Sequence, residues 1–132
     1  MKLLYTHAVE EDFNVLYIHS KGVTKPWSDC VKDWIDYMLY FNIDKFQTCL
    51  ELLQEYDAVG VNLQDKPVLH FSGNFWWSKS SNIRKLGEIT NETYHGPEFY
   101  ITGCKDGKYK GLYISNVNHY MQRFPSELYT QK

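Results

Sequence analysis

The sequence predicts an α/β fold, a small mixed, mainly parallel sheet flanked by helices, in a single domain over residues 1–132. Three observations carry this. A β-branched and aromatic run at 13–19 precedes two stretches with apolar residues at helical spacing, and a second apolar run at 57–63 follows them. Strand, helices, strand is an order that favours a parallel pair, because the crossover returns the chain to the edge where it began. Finally, 132 residues suit one domain of about 100 to 200 residues, and with 43% hydrophobic and 23% charged residues the chain is too apolar to stay solvated and disordered.

Taken in order, Leu3, Leu4, His7 and Ala8 carry a weak helical spacing that ends at Glu10, Glu11 and Asp12, and read as the tail of a helix. The run at 13–19 is a buried strand opening into a loop that lasts to Trp27. Ser28 or Asp29 then caps a helix whose Val31, Trp34, Ile35, Met38 and Leu39 recur on one face, and which should stop near Asn42. Asp44 with Gln47 forms a capping box for a second helix, with Phe46, Cys49, Leu50, Leu53 and Tyr56 on its inner face. Residues 57–63 form the next strand, with Gly60 where a backbone or ligand comes close. A strand-like aromatic segment at 69–77 is broken by Gly73, and Ser78 or Ser80 starts a short helix ending before Gly87. A flexible stretch at 91–97 leads to Glu98, and 109–115 makes the last strand.

Charge and cysteine usage exclude some functions. A formal net charge of -2 and a pI near 6.2 leave no basic field for nucleic acid. Lys105, Lys108 and Lys110, with Asp106 and Gly107 among them, read as an exposed turn. Cys30, Cys49 and Cys104 show no C-x-x-C spacing and read as small buried thiols of a reducing compartment. The apolar start, Leu3 to Tyr5, is too short for a secretory core, and no run nears the roughly 18 apolar residues of a membrane span. The expectation is a soluble, cytoplasmic protein.

Two segments could carry chemistry. Aromatic residues make up 17% of the chain, so packing alone is one explanation of Phe75, Trp76 and Trp77. The other is that Gly73, Asn74, Trp76 and Trp77 combine hydrogen-bonding and stacking surfaces of the kind sugars require. His19, Ser20, Lys21 and Gly22 follow the first strand directly, where open α/β sheets put ligand-contacting loops. There Lys21 could offset phosphate charge, Gly22 let the loop approach closely, and His19 bind a divalent metal or donate a hydrogen bond; a solvated loop is the plain alternative.

The strings VLYIHSKGV (15–23), VKDWIDYM (31–38), YDAVGVNL (56–63), HFSGNFWWSKSS (70–81), PEFYI (97–101) and SNVNHY (115–120) resemble, in this order, a glycosyltransferase family of bacteria and large DNA viruses. FSGNFWW is the most specific of them. The resemblance implies a partial GT-A (Rossmann-like) domain that transfers a sugar from a nucleotide-sugar donor to a hydroxyl acceptor, in the host cytoplasm if viral. It places His19 and Lys21 at the diphosphate, lines the sugar with Gly73, Asn74, Trp76 and Trp77, and offers Glu98 as the base. His119 is either part of a metal or phosphate site or a structural histidine. Mn or Mg is the cofactor such enzymes use, although no D-x-D pair occurs in this sequence. The resemblance also implies that the N-terminal nucleotide-binding part is missing, so that the chain is a fragment of a larger enzyme, pairs with another polypeptide or a second copy of itself, or has lost activity. The alternative is a noncatalytic carbohydrate-binding or interaction module built on the same remnant.

Overall fold

A computed structural model describes residues 8, 10–18, 29–66, 68–86, 100–104 and 106–130. Its elements in chain order are β1 (Asn14–Tyr17), α1 (Asp29–Leu39), a π-helical turn (Tyr40–Asp44), α2 (Phe46–Leu52), β2 (Ala58–Gly60), β3 (Leu63–Gln64), β4 (His70–Phe71), β5 (Trp76–Lys79), α3 (Ser80–Leu86), β6 (Tyr109–Gly111) and a 3-10 turn (Ser126–Leu128). The result is a mixed α/β arrangement, a mixed sheet flanked by helices.

The main sheet has the order β1-β5-β2-β6, and β3 and β4 form a separate antiparallel pair. The expected crossover does return β2 in the direction of β1. The two strands are not neighbours, however, because β5 lies between them and runs antiparallel to both. Only β2 and β6 pair in parallel among the described strands, so the expectation of a mainly parallel sheet is corrected. The physical cause is that β5 belongs to the return arm of a hairpin: β3 pairs antiparallel with β4 and β2 with β5, so the chain reverses between β3 and β4. Gly73 (φ 94°) and Asn74 (φ 62°) interrupt that arm in the left-handed conformation that glycine and asparagine tolerate best.

Alternation along β5 divides the core. Trp76 packs with Ala58, Phe71, Ile83 and Ile101 on one face, whereas Trp77 packs against Cys49, Leu53 and Val59 on the other. α3 contributes Ile83 to the first cluster, and α2 contributes Cys49 to the second. A third cluster gathers Trp34, Tyr37, Met38 and Phe41 with Val61, Phe75, Phe124 and Tyr129.

α1 turns a slightly different face inward than its apolar spacing predicts. Val31, Trp34 and Met38 are buried as expected, while Asp33 and Tyr37 are buried in place of Ile35 and Leu39. Asp33 can be buried because it accepts hydrogen bonds from Arg123 Nε at 2.6 Å and from the Phe124 amide at 3.0 Å. The Asp44–Gln47 capping box is also corrected. Asp44 ends the π-helical turn, Lys45 occupies the cap of α2 with no side-chain cap bond, and Phe46 is 44% exposed. The turn has a use: it frees the Asn42 carbonyl to accept from Trp77 Nε1 at 2.7 Å.

Candidate functional site

Strand register brings several chain ends to one edge of the sheet. Tyr17 and Gly60 both pair with Trp76, and Gly60 pairs with Gly111. The carboxyl ends of β1, β2 and β6 and the amino end of β5 therefore share that edge. In open α/β sheets ligands bind in crevices outside the carboxyl ends of strands.

At this edge the predicted sugar platform serves the interior. Trp76 is 1% exposed, stacks on Tyr17 with ring centroids 4.9 Å apart, and donates its indole N–H to Asn74 Oδ1 at 2.8 Å. Asn74 is buried, and a Cβ on Gly73 would collide with the Met38 sulfur and lie 3.2 Å from the Trp34 ring. The space in front of Gly73 is thus filled by α1. Trp76 and Trp77 also point to opposite faces of β5, so the two indoles do not form one platform; Trp77 is half-buried against the α2 side with its N–H held by Asn42. The packing explanation fits these four residues.

Beside them is a buried polar network that the sequence reading did not assemble. Asn62 (φ 52°) follows β2 and is 1% exposed. Its Oδ1 accepts from Tyr37 Oη at 3.0 Å and from the Ser115 amide at 2.8 Å, and its Nδ2 donates to Ser115 Oγ at 3.1 Å. Ser115 Oγ and His119 Nε2 lie 2.7 Å apart and share a hydrogen bond, with Asn62 Nδ2 3.4 Å from the same ring nitrogen. Among the described residues His119 Nδ1 is buried with no hydrogen-bond partner. The imidazole lies between Trp34 and Tyr37, with centroids 5.3 and 5.4 Å away, and burial holds its pKa down to about 4. The same burial pushes the Tyr37 hydroxyl far above its ordinary value. A neutral, sandwiched His119 matches the structural alternative for this residue. The signal for the network was Asn62 itself, an asparagine inside the strand expected at 57–63 and of a residue type that readily turns left-handed, which here separates β2 from β3.

The edge is not closed everywhere. The segments that leave β2 and β6 border a groove of about 570 Å³ lined by Leu63, Gln64, Asp65, Lys66, Leu69, Ile114 and Asn116. At the opposite edge, Asp12, Phe13, Asn14, Lys79, Ser80, Ser81 and Arg84 line a second groove of about 440 Å³. There Arg84 is engaged, donating to Asp12 at 2.7 Å and to the Ala8 carbonyl at 2.6 Å.

His19, Lys21 and Glu98 lie outside the described residues, as do the expected helix tail at 3–7 and the stretch at 91–97. Among the described residues no three His, Cys, Asp or Glu side chains gather to hold a metal ion. No helix among them is long and apolar enough to cross a membrane.

A family model described as Domain of unknown function (DUF8361) matches residues 3–96. The chain belongs to this family. Neither the curated proteins nor the solved structures contain a match. The DUF8361 match takes in β1 through α3, and with them the Gly73–Asn74 turn and Asn62, and it stops before Glu98, Ser115 and His119.

Proposed function

We propose that the chain is a glycosyltransferase-like protein that moves a sugar from a nucleotide-sugar donor to a hydroxyl acceptor at the carboxyl edge of its sheet. The observation that carries this reading is the register that ends β1, β2 and β6 beside the amino end of β5, since His19 and Lys21 come next in sequence after β1. In this reading Lys21 meets the charge that develops on the departing nucleoside diphosphate. Glu98 accepts the proton of the acceptor hydroxyl as its oxygen attacks the anomeric carbon. Gly73, Asn74 and Trp76 shape the edge from within, and Trp77 braces the other face. Mn or Mg, if bound, would be held at His19 and would add positive charge beside the diphosphate.

A noncatalytic carbohydrate-binding or interaction module is the second reading. The burial of Gly73, Asn74 and Trp76 favours it, because the most specific motif then preserves a scaffold rather than a reacting surface.

A panel of nucleotide sugars, with and without manganese, separates the two when hydrolysis or transfer and thermal shift are read together. Turnover that Glu98→Gln abolishes while thermal shift by the donor persists supports the enzyme. Thermal shift by sugars with no turnover across the panel supports the module. Unchanged turnover in Glu98→Gln removes that residue from the role of base.

A further inference from the structure

We propose that the groove between the segments leaving β2 and β6 is a binding subsite for a neutral saccharide. Calling that saccharide the acceptor of the transfer reaction rests on the reading above; the binding itself does not.

Position is the first argument. β2 and β6 are the parallel pair of the described sheet, with Gly60 opposite Gly111, and the groove opens beyond their carboxyl ends. A crevice between two chains that leave a parallel pair is where an α/β sheet offers backbone and side-chain groups together. α1 fills the neighbouring part of the edge, in front of Gly73, whereas this groove stays open.

Rigidity is the second. The two walls are tied to each other by the Asn62 amide donating to the Tyr113 carbonyl at 2.8 Å and by the Ser115 amide donating to Asn62 Oδ1 at 2.8 Å. The Leu112 amide also donates to the Gly60 carbonyl at 2.8 Å. Walls bonded in this way hold their spacing before a ligand arrives, which lowers the ordering cost of binding.

The lining chooses the ligand. Leu69 and Ile114 remain 37% and 52% exposed at the groove, apolar surface suited to the C–H face of a pyranose ring. Around them Gln64 can both donate and accept, Asp65 accepts, Lys66 donates, and Asn116 can do either. Mixed donors and acceptors beside an apolar surface suit adjacent hydroxyls. One aspartate against one lysine leaves no net positive charge, so a diphosphate or another multiply charged anion is poorly matched. A volume of about 570 Å³ falls within the ~300–1,000 Å³ of ordinary small-molecule sites and accommodates a monosaccharide or disaccharide.

The test is saturation-transfer NMR on the full chain with the methyl glycosides of glucose, galactose, mannose and N-acetylglucosamine. Gln64→Ala and Asp65→Ala are the groove variants and Lys85→Ala, at an exposed position of α3, is the control. At least one glycoside should receive saturation, with its affinity reduced about tenfold in each groove variant and unchanged in the control. Gln64 and Asp65 are exposed, so both variants should keep the wild-type amide spectrum, and that spectrum is recorded first. No saturation of any glycoside, or binding indifferent to both groove substitutions, overturns the subsite. If glycosides bind through Asp65 but no nucleotide sugar is turned over, the subsite stands and the transfer reading falls. Should nucleotide sugars be turned over with an acceptor KM that neither variant changes, the transfer reading stands and the groove falls as its acceptor site.

Discussion

Trp76 Nε1 donates to Asn74 Oδ1 across 2.8 Å, so the indole and the amide that together look like a sugar-contacting pair in the sequence complete each other inside the protein. Both side chains are buried, Trp76 to 1% exposure. Asn74→Ala removes the acceptor from a buried N–H and puts a Cβ-bearing residue without a local hydrogen bond at φ 62°. We expect a loss of about 2–4 kcal/mol of stability, from the unpaired donor and the left-handed backbone together. Asn74→Gly keeps the backbone easy and loses only the acceptor, so its cost should be about 1–3 kcal/mol. Urea unfolding checks the order; a glycine variant less stable than the alanine variant would contradict it.

Gly73 makes a prediction of a different kind, because two causes act at one position. Its φ of 94° disfavours any side chain, and a Cβ there would strike the Met38 sulfur. Gly73→Ala should cost about 2–4 kcal/mol from strain and overpacking combined. Adding Met38→Ala opens room and should recover the overpacking part alone, so the double variant is more stable than the two single losses added together. A double-mutant cycle by urea unfolding measures this coupling; strict additivity would mean that the helix does not press on the turn.

His119 sets a window of pH dependence. Its pKa is held down to about 4 when folded, by burial, against an ordinary value of about 6.5. Between those values the unfolded chain binds the proton and the folded chain does not. Stability is thus full above about pH 6.5, falls as pH drops toward 4, and levels below it. Allowing for nearby solvent, the swing should be about 2 kcal/mol. Asp33 acts in a lower window: the Arg123 guanidinium holds its carboxyl below the usual carboxylate range, so its contribution is present above about pH 4 and is lost below it. His119→Gln should flatten the upper window and leave the lower one. Urea midpoints recorded from pH 3 to pH 8 check both, and an unchanged slope between 4 and 6.5 in the variant would contradict the assignment to His119.

How much of this was legible in the sequence follows from the range of each interaction. β1, α1, α3 and the break at Gly73 were visible because strand composition, the helical spacing of apolar residues and glycine act over a few residues. The position of β5 between β1 and β2 was not, since register between strands so far apart in sequence is decided by which faces each strand must bury. The same holds for the FWW run. Composition marks Trp76 and Trp77 as a pair, but period-two alternation sends them to opposite clusters. The Asn62–Ser115–His119 network joins residues 53 and 4 positions apart and gives no local signal beyond the asparagine itself. The groove is legible still less, for Gln64, Asp65 and Lys66 look like any polar turn until β6 lies alongside.

The central claim is that the carboxyl edge of the sheet handles the sugar, and amide-resolved NMR tests it most directly. Shifts would be followed while a nucleotide sugar and then a methyl glycoside are added to the full chain. The account predicts shifts gathered on residues 62–66 and 112–116, with residues 12–14 and 79–84 at the opposite edge unmoved. Shifts confined to that opposite edge, or none with either ligand, would contradict it.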